Sequence, residues 1–99
     1  MTEPQTLAEY LDQDQVWMSK SGPFPIRDMD LVYRRRALRW LVRNAPSLHV
    51  LWMLSQYVDG DMPTLDTLIG WADQRPAAWI RETRLFKALV KGVPEELIP

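Results

Sequence analysis

Arg34, Arg35, Arg36, Arg39 and Arg43 crowd into one short segment, and no acidic residue interrupts the chain between Leu31 and Val58. Guanidinium groups at this density can grip carboxylates or phosphates through forked hydrogen bonds. Anion recognition is therefore the first chemistry the sequence offers. Catalysis has fewer parts to draw on. With one histidine, His49, and no cysteine, the chain has no thiol nucleophile, Cys–His pair, disulfide or thiolate zinc site. A Ser–His–Asp site would have to place His49 on a strongly apolar helix. The expected role for His49 is at the edge of a core helix, bonded to a backbone carbonyl or to water.

The acidic residues have local explanations. Glu9, Asp28, Asp30, Asp59 and Asp61 stand where caps and turns need them, and only Glu82 is predicted to face an apolar arc, where it could pair with an arginine such as Arg34. Asp59-Gly60-Asp61 begins like a calcium loop, but Pro63 and Leu65 occupy oxygen-ligand positions and Gly70 stands where the bidentate Glu belongs. The four glycines, 22, 60, 70 and 92, are isolated, so no phosphate-cradling loop exists. The expectation is a non-enzyme with no metal and no cofactor.

The elements that must carry these residues follow from periodicity and caps. Thr6-Leu7-Ala8-Glu9 has capping-box spacing and predicts a first helix over 7–13. Val16 to Ile26 combines β-favouring residues with Ser, Gly and Pro, predicting a small hairpin or extended loop. Asp28 or Asp30 caps a second helix that should end at Asn44 or Ala45, because Pro46 follows. Along it Leu31, Leu38, Leu41, Val42 and Ala45 form an apolar arc, with Arg35, Arg36, Arg39 and Arg43 on the flank and Tyr33 and Trp40 on a third side. Arg34 falls beside the apolar arc and must snorkel to the edge or find a carboxylate. A third, mostly apolar helix over 48–58 should be central, with His49 and Gln56 as its polar flank. Pro63 and Thr64 open a fourth, through Leu65, Leu68, Ile69, Trp71 and Ala72. The last helix, over 76–91, sets Trp79, Leu85, Phe86, Leu89 and Val90 against Arg81, Arg84, Lys87 and Lys91, and Gly92 with Pro94 stops it.

Together these predict a mainly α fold, a compact bundle of four to five helices with a small N-terminal β-hairpin or extended loop, forming one domain over residues 1–99. Ninety-nine residues, 46% hydrophobic and 25% charged, suit a single core. The acidic start lacks the basic and apolar segments of a signal peptide, and no apolar run reaches the roughly 20 residues a bilayer requires. A cytoplasmic location with no membrane association is expected. Five Trp and five Met are more than so small a core needs. Trp17, Met18 and Phe24 fall in the hairpin, where burial is hardest, and residues of these types, with arginine, are enriched at protein–protein contacts.

Ile26-Arg27-Asp28-Met29-Asp30, leading into Tyr33-Arg34-Arg35-Arg36-Ala37-Leu38-Arg39-Trp40-Leu41-Val42-Arg43-Asn44-Ala45 behind a Trp-containing turn, resembles small uncharacterised accessory proteins of actinobacterial phages. The likeness covers about residues 16–45. It implies a phage protein made in the host cytoplasm that binds and modulates a host protein. The sequence reading is accordingly a protein-binding module whose contacts are Trp17, Met18, Phe24, Arg35, Arg39 and Arg43. The alternative is a small nucleic-acid-binding domain using the arginine-rich helix, with basic residues of the last helix joining the same surface. A homodimer through the Trp40 and Tyr33 side is a third reading.

Overall fold

The computed structural model describes residues 4–55, 64–72 and 75–99. The first element, α1 (Leu7–Leu11), starts where Thr6 Oγ1 accepts from the Glu9 N–H at 3.1 Å, while Glu9 Oε2 accepts from the Gln5 N–H at 2.8 Å. It stops two residues short of the predicted end. Gln13 is taken up elsewhere: its Nε2 donates to the carbonyls of Tyr10 and Val16, and its Oε1 accepts from the Gln15 and Val16 N–H groups. One side chain thus joins the end of α1 to the start of the sheet.

The hairpin pairs β1 (Val16–Ser19) with β2 (Gly22–Pro25) antiparallel, placing Trp17 opposite Phe24 and Met18 opposite Pro23. Gly22 closes the turn at φ +112°, a conformation other residues avoid. Two prolines in a four-residue strand are tolerated because β2 has a single partner. Pro23 and Pro25 alternate with the positions that face β1, so the ribbon loses no cross-strand donor.

A 3-10 turn at Ile26–Asp28 leads into α2, and Asp30 Oδ1 caps it by accepting from the Tyr33 N–H at 2.8 Å. This helix runs from Leu31 to Ser55 with Pro46 inside it. The predicted break at Pro46 is absent, and the expected second and third helices are one. Pro46 has no N–H for the Val42 carbonyl, a defect worth about 3 kcal/mol in a helix interior. Yet Pro46 is exposed, so the defect lies on the solvent side, where carbonyls can tilt towards water. On the other side, buried Ala37, Leu38, Leu41, Ala45, Leu48 and His49 continue one stripe across it without a change of phase. Each large apolar side chain buried there contributes roughly 1.5–3 kcal/mol. Core burial on both sides of Pro46 outweighs the local defect.

After α3 (Leu65–Ala72), whose Thr67 N–H is capped by Thr64 Oγ1 at 3.2 Å, the predicted last helix divides into α4 (Pro76–Arg81) and α5 (Arg84–Val90). Thr83 makes the division. Its Oγ1 donates to the Ile80 carbonyl at 2.6 Å, ending α4, and accepts from the Phe86 N–H at 3.3 Å, starting α5. The stop at Gly92 is a tight turn, with Gly92 at φ +81° and the Val93 N–H returning to the Val90 carbonyl at 2.9 Å. Leu38, Leu41, Ile80, Leu85 and Leu89 are the fully buried centre, where α2 meets α4 and α5. The architecture is mainly α with an N-terminal hairpin. The Asp59-Gly60-Asp61 turn, Gln56 and Pro63 lie outside the described residues.

Candidate interaction surface

The five arginines of α2 divide between its two faces. Arg34 points into the fold, half-buried, and meets neither of the predicted fates. Its Nε donates to the Met29 carbonyl (3.0 Å), Nη2 to Ile26 (2.7 Å), and Nη1 to both Ala88 (3.2 Å) and Lys91 (3.0 Å). It holds the 3-10 turn before α2 against the C-terminal end of α5, where carbonyls lack helical partners. The expected Glu82 partner is on the surface instead, 3.4 Å from Lys87 Nζ. Glu82 immediately precedes the Thr83 cap, so the division of the last helix turns it away from the core.

Arg35, Arg36, Arg39 and Arg43 are all exposed and form no ion pair with any described residue. At about 100° per residue, Arg36, Arg39 and Arg43 share a sector roughly 60° wide opposite the buried stripe, with Arg35 at its flank. Val32 shares that sector and is 61% exposed. The neighbouring sector holds Tyr33, Trp40 and Leu51, the last two 45% and 54% exposed.

The hairpin lies beside this second sector. Trp17 meets Trp40 edge to face at 5.9 Å between ring centroids, Phe24 meets Tyr33 at 5.2 Å, and Tyr10 flanks Trp17 at 6.2 Å. Cross-strand pairing puts Trp17 and Phe24 on one face of the ribbon. They pack against α2 and remain half-buried. Met18 projects from the opposite face and is exposed. Tyr10 Oη accepts from the Met18 N–H at 3.0 Å, and burial pushes its pKa up to about 12.

The basic residues of the last two helices do not extend the arginine surface. Arg81 Nη2 donates to the Pro99 carbonyl (2.9 Å), Arg84 pairs with Asp14 (3.2 Å), and Lys87 pairs with Glu82. Gln15 Nε2, at 2.8 Å, and then the Arg84 charge hold the Asp14 carboxyl below its usual range. Because α4 and α5 pack on the buried side of α2, the two basic sets lie on different sides of the molecule.

His49 is not on a polar flank. It is 4% exposed, with the Trp79 ring at 4.8 Å and the Trp52 ring at 6.4 Å. The pattern of apolar neighbours hid this, since a lone polar residue on an apolar helix is ordinarily assigned to its edge. Among the described residues, no group of three potential metal ligands comes together, and no helix is long and apolar enough to cross a membrane. No family model, curated protein or solved structure matches the chain.

Proposed function

We propose that this chain is a non-enzymatic protein-binding module whose contact surface is the solvent face of α2, with the hairpin aromatics along its border. The observation that carries the reading is the row Arg35, Arg36, Arg39 and Arg43, exposed and without a carboxylate among the described residues, beside exposed Val32 and Trp40. Unpaired guanidinium groups next to apolar area fit a partner that presents carboxylates around an apolar contact. Trp17 and Phe24 serve this surface by bracing Trp40 and Tyr33, and their exposed edges border it. The partner is an acidic protein. The resemblance to phage accessory proteins supports a host protein as its source, met in the host cytoplasm.

A nucleic-acid reading draws on the same arginines but would be stronger with a second basic helix on the same side, and α5 lies on the other. The deciding experiment is affinity capture from a bacterial lysate, with and without nuclease, using wild type and an Arg35→Glu/Arg39→Glu variant. One acidic host protein retained after nuclease treatment and lost with the variant is the expected result. Capture that disappears with nuclease would transfer the surface to nucleic acid, and capture unaffected by the double substitution would remove the surface from the proposal.

A further inference from the structure

A cleft of about 750 Å³ lies on the side of the hairpin turned away from Trp17 and Phe24. Its walls are apolar where Val16, Pro23 and Pro25 of the ribbon face Ala88 of α5, and Arg34 lies along it. The volume falls within the range of roughly 300–1,000 Å³ that accommodates small organic ligands. The charges around it are unequal: Arg34, Lys91 and Arg27, the last 4.0 Å from the Asp28 carboxylate, stand against Asp14, which is already paired with Arg84. Arg34 and Lys91 form no ion pair with any described residue. The Arg34 guanidinium has five N–H groups, and four hydrogen bonds to carbonyls are formed. One N–H is left over. Four carbonyl dipoles hold the group in place without neutralising its charge.

We infer that this cleft binds a small amphipathic carboxylate, with its apolar body between the ribbon prolines and Ala88 and its carboxylate on Arg34 and Lys91. With one guanidinium N–H and the Lys91 ammonium to offer, the site makes single-point contacts to one small anionic group rather than a forked pair. The fixed guanidinium is preorganised, so ligand binding need not immobilise it. The cleft and the outer face of α2 are separate surfaces, and this inference stands independently of the protein-binding proposal.

The test is a titration of isotope-labelled protein with 4-phenylbutyrate and, in parallel, with the uncharged 4-phenylbutanol, followed by amide chemical shifts. The expected result is saturable shifts at Ile26, Ala88 and Gly92 with the acid, and binding of the alcohol weaker by about tenfold, the scale of one charge-assisted hydrogen bond. Lys91→Glu, an exposed position that leaves the Arg34 contacts in place, should weaken the acid by about threefold or more and leave the alcohol unchanged. Equal affinity for acid and alcohol, shifts centred elsewhere, no saturable shift, or acid binding indifferent to Lys91→Glu would each overturn the assignment.

Discussion

Arg34 and Arg35 are neighbours in sequence, yet α2 sends them to opposite environments. On the inward face, Arg34 ties two chain segments through four carbonyls, and Leu38 and Leu41 are wholly buried beside it. On the outward face, Arg35, Arg36, Arg39 and Arg43 bind no described acid, and Val32, Trp40 and Leu51 remain in contact with solvent. The inward guanidinium has four of its five N–H groups taken by the fold. The outward face keeps guanidinium groups and apolar area available together, which is why it is the better candidate for a partner.

That contrast breaks most visibly if both faces respond alike to substitution. Leu41→Ala, at a fully buried position, should destabilise the fold by about 2–5 kcal/mol in denaturant unfolding, whereas Arg39→Ala should change it by no more than about 0.5 kcal/mol. A comparable loss from both would mean that the arginine row supports the fold.

The paired arginines give the next largest difference. Arg34→Met keeps the aliphatic stem but leaves four carbonyls without the guanidinium, and a loss of about 2–3 kcal/mol is expected from hydrogen bonds to a charged group. Arg35→Met should be close to neutral in the same unfolding experiment while weakening partner capture. If Arg34→Met proved neutral, the tie between the 3-10 turn and α5 would be incidental.

Pro46 tests whether the two faces belong to one continuous helix. Pro46→Ala restores an N–H facing the Val42 carbonyl, and a gain of about 2 kcal/mol is expected, since the helix benefit of roughly 3 kcal/mol is partly offset by up to about 1 kcal/mol from a more flexible unfolded chain. A loss of stability would favour the two-helix arrangement that the sequence predicted.

The smallest effect sharpens the border between hairpin and helix. An unfolded Tyr10 would lose its proton near 10.0, whereas in the fold burial holds the phenol neutral until about 12. Its contribution is therefore intact below pH 10 and declines as pH rises towards 12. Tyr10→Phe should remove that share of the alkaline decline, read as denaturation midpoints of wild type and variant across this range. It should also cost up to about 1 kcal/mol at neutral pH, because the Met18 N–H loses its acceptor.

Much of the fold is legible in the chain because caps and turns are local. Thr6, Asp30, Thr64 and Gly92 act where their residue types predict. The arginine row is legible for the same reason, since helical spacing alone puts Arg36, Arg39 and Arg43 on one side. Three features depended on contacts distant in sequence. Pro46 reads as a stop until the buried stripe on both sides of it is seen against α4 and α5. Arg34 reads as an unplaced charge because its acceptors include carbonyls more than fifty residues away. His49 reads as a flank residue because Trp79, which covers it, belongs to another helix. Sequence by itself determined element types, their caps and which arginines share a helix face, because those follow from neighbours within a turn or two. The tertiary structure alone decided which arginine became internal and that the helix would continue through its proline, because both depend on burial and acceptors supplied by segments the chain reaches only after folding.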